Sequence, residues 1–204
     1  MSRGVDEEKR ATLRRFAALG AATPLVGLGS DDSDEGRNRS DVRDAIVGYL
    51  GTTPGAHFSK IRDDLKLGTG ETQHHLRRLL SDGVIESRRD GDYRRFFPAD
   101  RFSAFEQVAL GYLRRNTPRG MLVELLRDPD ATGSDLAAAL DVSRATVSAY
   151  ATELDDAGLL TREDGYAVVA PESVITLLIR YADSFGPDAV EFAADADRLI
   201  RFDP

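Results

Sequence analysis

Residues 57–85 read HFSKIRDDLKLGTGETQHHLRRLLSDGVI, and this stretch decides the fold. Phe58, Ile61 and Leu65 recur with helical period, and Lys66-Leu67-Gly68 interrupts it. A second periodic run over 69–81 ends at Asp82-Gly83, a glycine stop for a helix. Val84-Ile85 then opens a strand. Shifted by 75 residues, the stretch lies without a gap on residues 132–160, TGSDLAAALDVSRATVSAYATELDDAGLL. Ile61 falls on Leu136, Leu65 on Leu140, Leu67 on Val142, Leu79 on Leu154 and Gly83 on Gly158. Two copies of a helix-turn-helix predict tandem domains and not a solenoid.

Each copy has the same neighbours. Ahead of the first, Ser40 is a good N-cap for a helix carrying Val42, Ala45, Ile46, Tyr49 and Leu50, which residues 52–55 end. In the turn, Gly68 is the residue expected to take unusual dihedrals. Behind it, strands over 85–89 and 93–97 flank Asp90-Gly91, a hairpin signal, and Pro98 stops the second strand. A connecting helix over 103–115 leads to the second copy, whose first helix spans 118–127. Thr132 caps the next helix, over 133–140, and the third spans 143–157. A shorter hairpin turns at Asp164-Gly165. Helices over 172–184 and 187–201 follow, the first apolar almost all round and the second with the stripe Ala189, Val190, Ala193, Ala196 and Ile200.

Cysteine is absent, so disulfides, thiolate metal sites and cysteine nucleophiles are excluded. Three of the 27 basic residues are lysine, and aspartate outnumbers glutamate 24 to 11. Such a bias fits a protein from a very salty cytoplasm; a GC-rich genome would also favour arginine. Charge is uneven: residues 38–97 hold 11 basic and 9 acidic residues, residues 118–170 hold 4 and 10, and residues 171–204 hold 3 and 7. Attraction for phosphate is concentrated in the first copy.

Arg14-Arg15 precede the apolar run FAALGAATPLVGLG and an acidic tail. The pairing resembles a twin-arginine export signal, but Phe16 follows the arginines directly. The run falls short of the roughly 20 residues that span a bilayer. The favoured reading is an amphipathic helix over 7–22 packing on the body, with an acidic linker after it and a cytoplasmic protein. Membrane association through residues 14–29 is the alternative.

Helix, helix-turn-helix and hairpin make up the winged helix-turn-helix unit. GETQHHLRRLLSDGVI resembles the recognition helices of archaeal, haloarchaeal-type regulators in the broad MarR/ArsR superfamily. SRATVSAYATELDDAGLL is similar to a pattern found across bacterial and archaeal regulators. The resemblance covers residues 40–98 and 118–170. It implies a mainly α fold with small β-hairpin wings: two tandem winged helix-turn-helix domains plus a C-terminal helical pair. The divisions are 1–37 (helix and linker), 38–99 (first domain), 100–117 (connecting helix), 118–170 (second domain) and 171–204 (helical hairpin). It also implies a DNA-binding transcriptional regulator. A winged-helix protein-interaction adaptor and a membrane-tethered regulator are the alternatives.

On a helical wheel the first recognition helix buries Thr72, Leu76, Leu79 and Leu80. Gly70, Glu71, His74, Arg77 and Arg78 face outward, with Gln73 on the flank, and Thr69 at the helix start is a further candidate. Arginine binds guanine bidentately and glutamine binds adenine, so these are candidate base readers. The wing adds Arg88, Arg89, Arg94 and Arg95; strand alternation leaves about two of the four to reach phosphate. In the second copy the outward positions are Ala145, Thr146, Ala149, Thr152 and Glu153, and at Ala149, Thr152 and Glu153 family members often carry cations. Arg144, Thr146 and Ser148 are its weaker candidates, and this copy is expected mainly to pack or dimerise.

The expected partners are double-stranded DNA and a second copy of the chain, joined through the C-terminal helices unless these form intrachain core. A protein partner on the acidic second domain is the further option. No cofactor is expected. His57 reads as a cap or packing residue, and His74 and His75 point about 100° apart, which suits chelation poorly. No phosphate-cradling loop or zinc-protease motif is present, so an enzyme is not expected.

Overall fold

The computed structural model of the chain describes residues 2–20 and 34–196, and the chain divides into two compact units, 1–102 and 103–204. In unit 1, α1 (Ser2–Gly20) packs on α2 (Asp34–Thr52). Strand β1 (Ala56–His57) leads into α3 (Phe58–Asp64) and α4 (Thr69–Ser81). Then β2 (Ile85–Asp90) and β3 (Tyr93–Pro98) form the hairpin. The sheet is antiparallel in the order β1-β3-β2, with Ala56 opposite Phe96 and Arg88 opposite Arg95. Val42, Ile46 and Leu50 of α2 meet Ile61 of α3, Leu65 just after it, Leu76 and Leu79 of α4, and Phe96 of the sheet in one core. α1 joins it through buried Leu13 and through Phe16, whose ring stands edge-on to Tyr49 at 5.3 Å.

Unit 2 repeats the order. It comprises α5 (Ala104–Leu113), α6 (Asn116–Arg127), α7 (Gly133–Ala139) and α8 (Arg144–Asp156). The short hairpin β4 (Leu160–Thr161) and β5 (Ala167–Val168) follows, then α9 (Pro171–Phe185) and α10 (Pro187–Asp195). α9 buries Val174, Leu177, Leu178 and Tyr181 within the unit, so most of its apolar surface is intrachain core. Ile179 and Val190 stay exposed. Phe192, fully buried, takes the place expected for Val190 in the α10 stripe. Ile200 and residues 21–33 lie outside the described residues, as does most of the expected 23–37 linker.

The repeat extends to backbone geometry. Gly83 and Gly158 both close their helices at positive φ, 69° and 70°. The next residue's N–H returns to the helix, Val84 to the Leu79 carbonyl at 3.0 Å and Leu159 to that of Leu154 at 2.8 Å. The turn between the paired helices corrects an expectation. Gly68 has ordinary extended dihedrals as the N-cap of α4. The left-handed residue is Lys66, at φ 54°, and its repeat mate is Asp141, at φ 51°. Aspartate tolerates this region better than lysine does. Lys66→Gly is therefore expected to raise the stability of unit 1 by about 0.5–1 kcal/mol in urea unfolding, while Asp141→Gly changes unit 2 less. Because Lys66→Gly also removes the contact of Lys66 Nζ with Glu8, Lys66→Met is the reference, and a glycine variant no more stable than the methionine variant would show that the φ carries no strain.

Three further corrections concern unit 1. α2 begins at Asp34, so Ser40 is not its cap but lies inside it, with Oγ 3.4 Å from Asp44 Oδ2. The hairpin turns on Gly91-Asp92, because Asp90 still pairs with Tyr93. β1 adds a third strand where only a connection was expected, and Gly55 N–H donates to the Phe96 carbonyl at 2.9 Å.

Candidate nucleic-acid interface

α4 is fastened at its start by side chains. His57 caps α3, its Nδ1 accepting from Lys60 N–H at 3.4 Å. At the start of α4, Glu71 Oε2 accepts from Gly68 N–H at 3.2 Å. The same carboxylate takes both contacts of Lys9 Nζ, at 3.0 and 2.8 Å. Partial burial pushes the Glu71 carboxyl up, but the Lys9 ammonium and the Gly68 N–H outweigh it, and its pKa lies below the ordinary glutamate value. Its contribution to folding is thus full above the ordinary range and fades as pH falls through the depressed value. Glu71 is engaged within the protein and is not a free outward carboxylate.

With Thr72, His75, Leu76 and Leu79 buried, α4 exposes Thr69, Gly70, Gln73, His74, Arg77 and Arg78. Arg78 Nε reaches Asp82 Oδ2 at 2.9 Å, an exposed i,i+4 pair that is readily exchanged for a ligand. Between α4 and β3 runs a groove of about 440 Å³. Its floor is Phe58, Leu76, Leu80 and Phe96, and its rim is Thr69, Gln73, Arg77 and Arg94. Arg94 is held over it: Nε donates to Ser87 Oγ at 2.8 Å, and the guanidinium lies 5.7 Å from the Phe96 ring centre. Arg88 and Arg89 are exposed on β2, Arg89 Nε donating to the Gly91 carbonyl at 3.3 Å.

Arg95 departs from the expected wing surface. It is 3% exposed, paired with Asp90 and donating through Nη1 to the Gly55 carbonyl at 3.0 Å. Its guanidinium ties β3 to the residue before β1 and is withdrawn from the surface. Of the expected recognition-helix and wing arginines, Arg77, Arg78, Arg88, Arg89 and Arg94 are exposed. The apolar floor of the groove and the role of Lys9 were missed by sequence reasoning. Alternation puts Phe96 on the Arg94 face, which was a readable signal for the floor; Lys9 had none.

α8 is chemically different at the same place. Ser143 caps it, and Thr146 is turned into that cap, its N–H 3.0 Å and its hydroxyl 2.9 Å from Ser143 Oγ. Glu153 accepts from Arg115 at 3.2 Å, and Thr152 from Arg162 at 2.7 Å. Arg144 and Ser148 are exposed. Among the described residues no cluster of His, Asp and Glu is placed to hold a metal ion.

Residues 40–110 match a family model described as an N-terminal HTH domain, and residues 117–166 match the MarR family. The chain carries two tandem winged helix-turn-helix domains, the second similar to the MarR family. The winged-helix chain is also similar to an uncharacterized HTH-type transcriptional regulator of Methanocaldococcus jannaschii, 27% identical over 131 residues. That match covers 64% of this chain and 33% of the relative, so the chain spans about a third of the relative's length. No solved structure matches.

Proposed function

We propose that this winged-helix protein is a transcriptional regulator that reads duplex DNA mainly through unit 1. The observation that carries the reading is the groove between α4 and β3. It places Gln73 and Arg77 of the recognition helix beside Arg94 of the wing, above an apolar floor. Gln73 and Arg77 have the chemistry to read base edges in the major groove, with His74 and Thr69 beside them. Arg94, Arg89 and Arg78 supply phosphate contacts that fix register, while Arg88, opposite Arg95, stands on the other face of the hairpin. The relative's description as a transcriptional regulator supports the same reading.

Unit 2 is assigned a different task. It holds 9 basic and 18 acidic residues, whereas unit 1 holds 18 and 17, so phosphate is repelled by one unit and tolerated by the other. Self-association through unit 2 would supply the two recognition helices that a palindromic site needs. An acidic surface of this kind also suits a protein partner. Among the described residues no helix is long and apolar enough to cross a membrane.

The test is fluorescence anisotropy of the full chain with a pool of genomic duplex fragments across a KCl series. Binding by the wild type that Arg77→Ala/Arg94→Ala loses supports the reading; a folded wild type that binds no duplex at any salt overturns it. Arg144→Ala is expected to change affinity less than threefold. A loss as large as that of Arg77→Ala would bring α8 into the interface.

A further inference from the structure

α1 lies outside both family matches, yet it is fastened to the edge of the recognition helix. Lys9 grips the Glu71 carboxylate, and Glu8 Oε2 meets Lys66 Nζ at 2.5 Å in the turn before α4. Leu13 is buried in the unit 1 core and Phe16 packs on Tyr49. On the α4 wheel, Thr69 and Leu80 stand on the edge beside the wing groove, and Glu71 stands on the opposite edge. Gln73, His74 and Arg77 lie on the exposed surface between these edges. A duplex seated there is bordered by the wing on one side and by α1 on the other.

The chemistry of α1 fits that position. Lys9, Leu13 and Phe16 share its inner face, leaving Arg10, Arg14 and Arg15 exposed. In the α1 sequence five basic residues, Arg3, Lys9, Arg10, Arg14 and Arg15, outnumber the acidic Asp6, Glu7 and Glu8, and Glu8 is already held by Lys66. Glu71, which would repel a phosphate strand, is neutralised by Lys9.

We propose that α1 is a third DNA-contacting element of unit 1, its Arg10, Arg14 and Arg15 gripping the phosphate strand that passes the Glu71 edge of α4. The inference rests on unit 1 being the DNA reader, and the experiment separates the two. Anisotropy is measured on the full chain over a KCl series for wild type, Arg10→Gln/Arg14→Gln/Arg15→Gln, the corresponding triple lysine variant, and Arg77→Ala. Each lost phosphate contact lowers the slope of log affinity against log salt by about 0.9. The glutamine variant is expected to lose about 2.7 from the slope and at least about tenfold in affinity at low KCl, with circular dichroism and melting unchanged. The lysine variant is expected to keep the slope. A glutamine variant with wild-type slope and affinity, while Arg77→Ala loses binding, overturns the role of α1 and leaves the DNA reader standing. If the wild type itself binds no duplex, both fall. Flotation with phosphatidylglycerol vesicles is run in parallel: vesicle binding lost in the glutamine variant with DNA binding intact would assign these arginines to a membrane surface and overturn the proposal.

Discussion

Arg77→Ala/Arg94→Ala is expected to lower duplex affinity by about 30- to 1,000-fold at low KCl, without unfolding unit 1. The two guanidiniums line one groove, and with separate partners on the duplex their losses add. A bidentate arginine–guanine contact is worth about 1–3 kcal/mol of discrimination, and a phosphate contact adds an electrostatic share. Together they make about 2–4 kcal/mol, at 1.4 kcal/mol per tenfold. Salt separates the roles. Arg94, held through Ser87 and Phe96, is argued to meet phosphate, so its single-variant loss should shrink as KCl rises. Arg77, argued to meet a base edge, should keep its loss in high salt. Equal shrinkage of both would remove the base-reading role from Arg77 and leave a non-specific basic surface. Neither residue holds the core together: both are exposed, and the floor of Phe58, Leu76, Leu80 and Phe96 remains in both variants.

The repeat made the helices and their stops legible because each copy repeats a local signal. Apolar period placed α4, and the glycines at 83 and 158 closed their helices where a left-handed residue is needed. β1 was not legible because two residues, Ala56 and His57, carry no alternation to read. The start of α2 was misread because a serine cap is a strong local cue, and nothing between Asp34 and Ser40 except Gly36 opposes a helix. At the site, exposure of Gln73, His74, Arg77 and Arg78 followed from the wheel, since burial of Leu76 and Leu79 fixes the opposite face. The fate of Arg95 did not follow: alternation says that two wing arginines share a face, and only Asp90 and the Gly55 carbonyl decide that this one is buried. Lys9 meets Glu71 across 62 positions of chain, a separation at which no periodic or spacing rule speaks.

Asp188→Ala is expected to destabilise unit 2 by about 3 kcal/mol, with a fall of roughly 10 °C or more in its melting midpoint. Arg119 is 4% exposed, and its guanidinium is forked onto Asp188, Nε to Oδ2 at 2.8 Å and Nη2 to Oδ1 at 2.9 Å. It also donates to the Leu113 carbonyl at 3.0 Å and to Asn116 Oδ1 at 3.2 Å. One side chain thus joins the end of α5, the start of α6 and the first turn of α10. Burial pushes the Asp188 carboxyl up, and Arg119 more than reverses this, so the aspartate stays ionised to below its ordinary range. Removing the carboxylate strands a buried cation with only neutral acceptors, which costs more than the pair contributes. Arg119→Met should cost less than Asp188→Ala, because it removes the buried charge and leaves an aspartate whose side chain, 39% exposed, can be solvated. Molar KCl should leave the Asp188→Ala loss largely intact, since a buried contact is screened little, whereas it should weaken the more exposed Lys66–Glu8 tie of α1. Equal and small losses in both Arg119 and Asp188 variants would mean that apolar packing of Phe192 and Ala189 alone seats α10, and that the fork is incidental to it.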